Sequence, residues 1–500
     1  MGIDVLLVLA VGLLFAVTLF LLRNPVALDD GLRHFAMARL LQEQGIANAP
    51  GWNAFLYEGY FHDRVLDPWF LSHVLLLPLT PLSAHIALKI SALVSLVALS
   101  GSFILLLRSY GLRARTSAIF LLILLFADQQ FLGRLLLGRP YALLTAFVVL
   151  TLYAVHKRST LLLFAIAVAT PLLSQLFVFT LLLALGGAIW LCTIRQERPS
   201  GIAMLIASIT GTGIGIALHP HSAEYLTYLW TVFLRIPFLK ADVPLSNEMH
   251  SGFLHLTGIS VAIALGLIIL LTAASLKSKR STRRKLHRAE VTFLACAAIL
   301  CTLGFALWIR MIDILWPILI ALLARIVSID PKAPLDLLQL LPRSRAIAIL
   351  FPILVALQII IVPAMLLKRD AQNSLEPLAG IESIPPHTRV LNADWDLFFA
   401  FVYLRPDLRY ALGIDPSLTY LTDPDVLKNL QALETSSSDA QSRSIVRALL
   451  RTYPSDVLIF SEERYSAVLP SLMTMPELAL LSRTGALASF SIRSFAPSAR

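Results

Sequence analysis

The chain has 500 residues, of which 57% are hydrophobic and only 14% are charged, and its formal net charge is +10. Soluble domains average about 25% charged residues, so the composition excludes a soluble globular protein and indicates a membrane protein. The positive charge does not indicate nucleic-acid binding, because the basic residues cluster in short segments between apolar runs, as in cytoplasmic loops.

Apolar runs that are long enough to cross a bilayer, which takes about 20 helical residues, recur along the chain. They predict about eleven transmembrane helices, at approximately 5–22, 86–107, 117–135, 141–155, 160–176, 177–194, 201–218, 253–276, 289–308, 312–327 and 347–367. If the N-terminus is cytoplasmic, the basic clusters between the spans fall on the cytoplasmic side and the segment after residue 367 lies outside. We expect the first run to be a retained anchor.

A long polar and aromatic segment, residues 23–83, follows the first span and is predicted to lie outside. It opens with Asp29-Asp30 and a short amphipathic helix. Its many Tyr and Trp residues suit a membrane interface. A second apolar stretch, residues 69–79, is predicted to be an interfacial or re-entrant helix with Asp67 as its N-cap and Pro68 at its first position.

The adjacent carboxylates Asp29 and Asp30 have two interpretations. An aspartate at the start of a helix caps backbone N–H groups and opposes the helix dipole, and one carboxylate suffices for that. Two carboxylates can divide the work, with one capping the helix and the other facing a cleft as a general base. Both interpretations stay open from the residues alone.

Charged residues near the ends of other spans are further candidates. Arg310 and Asp313 are three apart in a late span, so they form an intrahelical ion pair or Arg310 binds a phosphate. Arg134 and Arg139 lie at the outer end of two spans, where snorkelling arginines are common.

Two histidines, His219 and His221, open another outer loop. A metal site there is weakly indicated, because Pro220 separates the two histidines and no third ligand is evident. The pattern favours interfacial polar residues, and no metal is clearly implied.

After residue 368 the composition changes, and strands alternate with helices, which predicts a small α/β domain. Strands are predicted at 390–391 and 456–460, with a terminal hairpin of 478–482 and 487–492. Helices are predicted at 397–404 and 438–450 and from Glu462. The chain is thereby divided into a membrane module, residues 1–367, and an extracytoplasmic domain, residues 368–500.

Four short motifs resemble the GT-C superfamily of polytopic glycosyltransferases, most closely bacterial relatives of dolichyl-phosphate-mannose–protein mannosyltransferases and aminoarabinose transferases. They are Asp29-Asp30 after the first span; Asp67-Pro68-Trp69-Phe70; Arg310, Asp313 and Pro317 in a late span; and an outer domain with Asn392-Ala393-Asp394-Trp395-Asp396 and Gly413-Ile414-Asp415-Pro416. The first loop has Asp-Asp where protein mannosyltransferases commonly have Asp-Glu, so the acceptor stays open.

The resemblance implies an α-helical polytopic fold with a C-terminal α/β domain, and a transferase that uses a polyprenyl-phosphate-linked sugar as donor. Asp29 or Asp30 would match the catalytic base, and Arg310, Arg134 or Arg139 would help the lipid phosphate to leave. Further residues implied in substrate binding are Asp313, His34, Asp67, His219 and His221. The implied partners are membrane lipid, the lipid-linked sugar and an acceptor glycan, lipid or protein in a bacterial inner or plasma membrane.

The alternative is a non-catalytic polytopic protein, which is either a transporter or a scaffold that binds a lipid-linked glycan during envelope assembly. A transporter is expected to show charges in mid-span, broken helices and two matching halves. Here the charges gather at the outer ends of helices and the halves do not match, which favours chemistry at the membrane surface. A glycan binder without turnover stays open.

Overall fold

The computed structural model describes residues 30–139, 141–239, 256–277, 284–307, 311–329, 375–436 and 438–493, together with residues 6, 10, 13, 16, 17 and 20 of the first apolar run. Within these ranges, helices make up most of the chain up to residue 329, apart from the largely irregular residues 45–69, and residues 375–493 form a small sheet with short helices. The predicted span at 347–367 and the predicted domain boundary at 367 lie outside the described residues.

Two helices belong to the segment predicted to be the first outer loop, namely α1 (Gly31–Gln44) and α2 (Phe70–Leu76). Helix α2 begins at Phe70, two residues later than predicted, so the prediction that Asp67 is its N-cap is wrong. Asp67 Oδ1 instead accepts a hydrogen bond from the backbone N–H of Trp69 at 3.2 Å. Because Pro68 has no N–H, Trp69 offers the nearest backbone donor after Asp67.

The apolar helices are α3 (Ala84–Ser109), α4 (Ala114–Phe126), α5 (Gln129–Leu135), α6 (Tyr141–Lys157), α7 (Thr160–Leu173), α8 (Phe177–Thr193), α9 (Arg198–Ala217), α10 (Ser222–Trp230), α11 (Leu256–Lys277), α12 (Arg284–Leu307) and α13 (Ile312–Ile329). The predicted span at 117–135 is divided into α4 and α5. The reason is Asp128, whose side chain accepts the N–H of Phe131 at 2.7 Å and starts a new helix.

Three of the described helices, α3, α9 and α13, are long and apolar enough to cross a membrane. The count of eleven spans stays a prediction, because several spans lie wholly or partly outside the described residues. Helix α13 is the central element, since every side chain from Ile312 to Ile326 is buried. It packs against α3, α4, α6, α11 and α12, so residues at its ends are held by the whole bundle.

The sheet has the strand order β2-β1-β3-β5-β4. Its strands are β1 (Arg389–Asn392), β2 (Arg409–Tyr410), β3 (Val457–Ser461), β4 (Leu478–Thr484) and β5 (Leu487–Ile492). Strands β2 and β3 flank β1 in parallel, and β5 and β4 continue the sheet antiparallel from β3. The predicted α/β character and the terminal hairpin are confirmed.

Short helices connect the strands: α14 (Phe398–Leu404), α15 (Pro416–Thr422), α16 (Pro424–Glu434), α17 (Asp439–Thr452), α18 (Glu462–Tyr465) and α19 (Leu469–Met473). The helices predicted at 397–404, at 438–450 and from Glu462 are confirmed. Strand β2 was not predicted, because a strand of two residues leaves no alternating pattern. Helices α15 and α16 were not predicted either.

The first outer loop and the sheet share one apolar core, which includes Trp52 and Phe55 from the loop and Phe398 and Tyr410 from the sheet region. Backbone bonds extend the edge of the sheet into the loop: Tyr410 donates to Phe55 O at 2.8 Å, and Tyr57 donates to Tyr410 O at 3.1 Å. The candidate residues of the loop therefore lie between the helices and the sheet.

Candidate active site

Asp30 precedes the first residue of α1, but its carboxylate makes no capping hydrogen bond. It pairs instead with Arg33 one turn later, at 3.0 Å from Oδ2 to Nη2. The capping interpretation is therefore wrong for Asp30. Its side chain keeps 16% of its surface exposed, so a ligand can reach it. Asp29 lies outside the described residues.

Arg139 brings a second guanidinium to Asp30, at 3.8 Å from Nη2 to Oδ2. Two glycines make this approach possible. Gly138 has φ +67°, which turns the chain just before Arg139. Gly31 lacks a Cβ, which would otherwise lie 3.1 Å from Leu137 O. The segment after α5 can therefore lie against the start of α1, and one carboxylate is balanced by two guanidinium groups.

Arg33 is held on three sides. Its Nη1 donates to Ile414 O at 3.0 Å, in the loop after β2. The guanidinium carbon lies 5.3 Å from the ring centroid of Trp69 and 5.8 Å from that of Trp52, within the range of cation–π attraction. Ile414 has φ +68°, a strained conformation for a β-branched residue. The carbonyl that orients Arg33 is therefore supplied by a residue whose backbone is strained.

A chain of hydrogen bonds runs behind Asp30 and Arg33. His34 Nδ1 lies 2.8 Å from His73 Nε2, and His73 Nδ1 lies 2.5 Å from Asp67 Oδ2. Both imidazoles are fully buried. Burial lowers the pKa of His34 well below its ordinary value, and His73, Arg33 and Arg139 lower it further. His34 is therefore a neutral imidazole near neutral pH.

His219 and His221 brace the outer loop. His219 Nε2 donates to Asp67 O at 2.9 Å, its Nδ1 accepts the backbone N–H of His221 at 3.2 Å, and its ring stacks on Tyr225 at 4.3 Å. His221 Nε2 donates to Ala49 O at 2.9 Å. Since both ring nitrogens of His219 are bonded, it has no lone pair left for a metal. No cluster of three or more His, Cys, Asp or Glu side chains placed for a metal occurs in the described part of the chain.

Arg134 and Asp313 form a bidentate pair rather than lying apart. Arg134 Nε lies 3.0 Å from both carboxylate oxygens of Asp313, and Nη2 lies 2.8 Å from Oδ2. The two side chains are 10% and 7% exposed. Asp313 thus has a partner from α5, whereas Arg310, the partner expected from spacing, lies outside the described residues.

A cavity of about 660 Å³ lies elsewhere, between α8 and α12. Its lining is almost wholly apolar, and none of the described candidate residues contributes to it. None of the described residues that line it is charged, whereas titratable side chains converge around Asp30, and we therefore take the cluster around Asp30 as the candidate active site.

The candidate residues Asp30, Arg139, His34 and Asp67 are brought together, and His219 reaches the cluster through the backbone of Asp67. Sequence reasoning missed Arg33, His73 and Ile414. Arg33 follows Asp30 by three residues on one helix, a spacing that predicts an ion pair. His73 is a polar residue within a short apolar stretch, which also marks it. The left-handed Ile414 has no sequence signal.

Neither the protein-family models nor the sequences of curated proteins gave a match. Solved structures did match in fold. ArnT from Cupriavidus metallidurans in the apo state has a TM-score of 0.55 and 14% identity, and the match covers 97% of each chain. The same protein bound to undecaprenyl phosphate has a TM-score of 0.55 and 14% identity, with 99% of each chain covered.

The archaeal oligosaccharyltransferase AglB from Archaeoglobus fulgidus, in complex with an inhibitory peptide and a dolichol-phosphate, matches with a TM-score of 0.54 and 13% identity. This match covers 97% of the present chain and 74% of the AglB chain. The chain has a GT-C fold. The resemblance predicted from the four short motifs is thereby confirmed at the level of the fold. In this GT-C fold, Asp30, Arg33 and Arg139 meet where the first loop, the segment after α5 and the sheet region come together.

Proposed function

We propose that the protein transfers a sugar from a polyprenyl-phosphate donor to an acceptor at the outer face of a bacterial inner or plasma membrane. The observation that carries the proposal is the carboxylate of Asp30, which lies between the guanidinium groups of Arg33 and Arg139. The fold supports it, because the similar ArnT was solved with undecaprenyl phosphate bound and AglB with a dolichol-phosphate. In this orientation the N-terminus is cytoplasmic and the sheet region lies outside.

In the proposed reaction the acceptor hydroxyl attacks the anomeric carbon of the donor sugar. A bond forms between the acceptor oxygen and that carbon, and the bond from the carbon to the phosphate oxygen breaks. Asp30 takes the hydroxyl proton, as a general base within reach of a bound acceptor. Positive charge develops on the sugar ring in such a transition state, and the carboxylate stabilises it.

The leaving group is a lipid phosphate with growing negative charge. Guanidinium groups bind phosphate oxygens through planar, paired N–H groups, so Arg33 and Arg139 are suited to this role. Arg139 lies farther from Asp30 than Arg33 does, at 3.8 Å, and both guanidinium groups flank the same carboxylate. We assign Arg134 and Asp313 to holding α5 against α13, and leave Arg310 as a further phosphate ligand.

The test is transfer of radiolabelled sugar from undecaprenyl-phosphate donors by membranes that contain the full chain. Asp30→Asn removes the base and is expected to lower the rate by about 10²-fold or more. Asp63→Asn is the matched control, because Asp63 lies in the same loop with its side chain 87% exposed. Asp29→Asn tests the neighbouring carboxylate in the same assay.

Equal rates for Asp30→Asn and Asp63→Asn, at equal amounts of inserted protein, would remove Asp30 from the mechanism. Donor binding by the wild type without any transfer would instead support the non-catalytic glycan binder.

A further inference from the structure

We propose that Asp67, His73 and His34 form a proton relay that takes from Asp30 the proton of the acceptor hydroxyl. The proposal rests on the glycosyl transfer proposed above. It adds three residues that would not touch the substrate and would act through Asp30. Three observations carry it: the hydrogen bonds that join the three side chains, the unpartnered nitrogen of His34, and the position of His34 one helical turn after Asp30.

The direction of the relay is set at Asp67. Both of its carboxylate oxygens accept hydrogen bonds, from Trp69 N at 3.2 Å and from His73 Nδ1 at 2.5 Å. In the proposed relay Asp67 is an ionised carboxylate, which only accepts, and His73 carries one proton, on Nδ1, which leaves Nε2 with a lone pair. His34 must then donate from Nδ1 to that lone pair, across 2.8 Å. The remaining nitrogen, His34 Nε2, is consequently unprotonated.

His34 Nε2 is an acceptor that the surrounding structure does not use. The atom is buried and has no hydrogen-bond partner among the residues that the structure describes. A buried polar atom without a partner costs free energy of folding, so such atoms are uncommon unless a ligand, a water or a reaction step uses them. The ring is fixed by its bond to His73 and by edge-on contact with Trp69 at 5.2 Å, so the lone pair keeps one direction.

His34 follows the proposed base by one helical turn. His34 N donates to Asp30 O at 3.1 Å, the bond of a helical turn, so the two residues are four apart on one face of α1. Side chains at this spacing have Cβ atoms about 5–6 Å apart. Because His34 Nε2 makes no direct hydrogen bond to Asp30, the proposed relay includes one water molecule between them. The charged and titratable groups that act on His34 are Arg33 on its own helix, His73 from α2 and Arg139 from the segment after α5. Asp67 faces His73, and Asp30 pairs with Arg33.

The proton balance of the relay is complete. The O–H bond at Asp30 breaks and an N–H bond forms at His34 Nε2. His34 gives its Nδ1 proton to His73 Nε2, and His73 gives its Nδ1 proton to Asp67. At the end Asp30 is ionised again, Asp67 is a neutral acid, and both imidazoles are neutral, as they were at the start. The proton returns to solvent by the reverse path after the glycosylated product has left.

A buried relay of this kind suits its surroundings. A lasting imidazolium at His34 would add a third cation beside Arg33 and Arg139, and burial lowers the pKa of His34 accordingly. The stepwise transfer avoids that charge, because it ends on the carboxylate of Asp67.

The test compares three variants of the full chain in nanodiscs, with transfer from the undecaprenyl-phosphate sugar followed from pH 5.5 to pH 8. His34→Asn keeps a side-chain N–H that can bond His73 and has no atom in place of Nε2. Asp67→Asn keeps the shape of the side chain and reverses the direction of the hydrogen bonds. His62→Asn is the control, because His62 is an exposed histidine of the same loop.

We expect the rate of His34→Asn and of Asp67→Asn to fall at least tenfold, and the pH–rate profile of His34→Asn to differ in shape from that of the wild type, because Asp30 no longer passes its proton to His34. A purely structural role would lower the rate equally at every pH and leave the shape of the profile unchanged, which would overturn the relay. A rate equal to that of His62→Asn would also overturn it while the glycosyl transfer stood. Absence of transfer by the wild type would overturn both proposals.

A second measurement does not depend on turnover. In protein labelled with ¹⁵N-histidine, the Nε2 resonance that disappears in His34→Asn is expected to be that of an unprotonated nitrogen at pH 7. A protonated Nε2 would overturn the relay even if Asp67→Asn fails to fold.

Discussion

The position of the Asp30 carboxylate depends on the guanidinium group of Arg33, because this group binds two acceptors at once. Nη2 pairs with Asp30 and Nη1 donates to Ile414 O. A lysine has one ammonium group on a flexible stem and cannot hold both acceptors in the same geometry. The arginine therefore sets the distance between α1 and the loop after β2.

Arg33→Lys is predicted to lower the free energy of unfolding by about 1–3 kcal/mol, because one buried acceptor loses its donor. Arg39→Lys is the matched control, since Arg39 is an exposed residue of the same helix. Thermal unfolding of the two purified variants in detergent checks this. Equal unfolding temperatures for both variants would show that the fork of Arg33 is dispensable.

The buried neutral state of His34 predicts a pH dependence of stability. Burial lowers the pKa of His34 in the folded state, whereas in the unfolded state the pKa is about 6.5. Above that value neither state binds the proton. Below it only the unfolded state does, so stability falls with falling pH, by up to about 1.4 kcal/mol per pH unit until the folded-state pKa is reached.

In His34→Asn the decrease in unfolding temperature between pH 7 and pH 5 is predicted to be smaller than in the wild type. Part of the decrease in unfolding temperature with falling pH remains, because burial also lowers the pKa of His219. His62→Asn serves as the exposed control. If the unfolding temperature of His34→Asn decreased as much between pH 7 and pH 5 as that of the wild type, His34 would be protonated in the folded protein as well.

At the scale of the elements, α13 is fixed near both ends by buried ion pairs. Asp313 in its first turn pairs with Arg134, and Arg325 near its end pairs with Glu290 of α12 at 2.6 Å. Glu290 also accepts from His156 of α6 at 2.7 Å. An unpaired charge in an apolar bundle is costly, so each pair specifies which helices pack together and at which point along their axes.

Glu290→Gln is predicted to cost about 3–5 kcal/mol of stability, because it leaves the buried Arg325 without its counter-charge. Glu197→Gln is the control, since Glu197 pairs with Arg158 where the side chains are 21% and 30% exposed, and such pairs contribute at most about 1 kcal/mol. Thermal unfolding in detergent measures both. A similar small loss in each would show that the bundle is held by apolar packing alone.

The helices of the bundle were predictable from the sequence, because each is an apolar run of helical length bounded by polar residues. The pairs between them were not. Spacing along the chain suggested Arg310 for Asp313, a pair that stays a prediction because Arg310 lies outside the described residues, but no local pattern pointed to Arg134, which lies 179 residues away and pairs with Asp313. Likewise Asp30 was predicted as a site residue, while Ile414, which orients its partner Arg33 from 381 residues away, was not. Contacts across such distances follow from tertiary packing and leave no local pattern.

At the scale of the whole molecule, the sheet region completes the candidate active site. The loop after β2 supplies Ile414 O to Arg33, and the edge of the sheet binds Phe55 and Tyr57 of the first outer loop. Both contacts originate within five residues of Tyr410. The position of this short stretch therefore decides whether the first loop is held against α1.

Gly413 offers a way to move that stretch alone. A Cβ at residue 413 would lie 2.7 Å from ring atoms of Phe398, a rigid side chain packed in the shared core. Gly413→Ala is therefore predicted to push the loop after β2 away from Arg33 and to loosen the first outer loop. Gly213→Ala is the control, because a Cβ on Gly213, which lies in α9, meets no atom within 4 Å.

Limited trypsin digestion in nanodiscs, with mass spectrometry of the peptides that end at Arg64, measures the loosening. Arg64 is half-buried and its Nη1 donates to Tyr60 O, so cleavage there requires the loop to open. Faster cleavage in Gly413→Ala than in Gly213→Ala would show that the sheet region holds the loop closed. Equal cleavage would mean that α1 and α2 hold the loop by themselves, and that the sheet region only covers a site that is already formed.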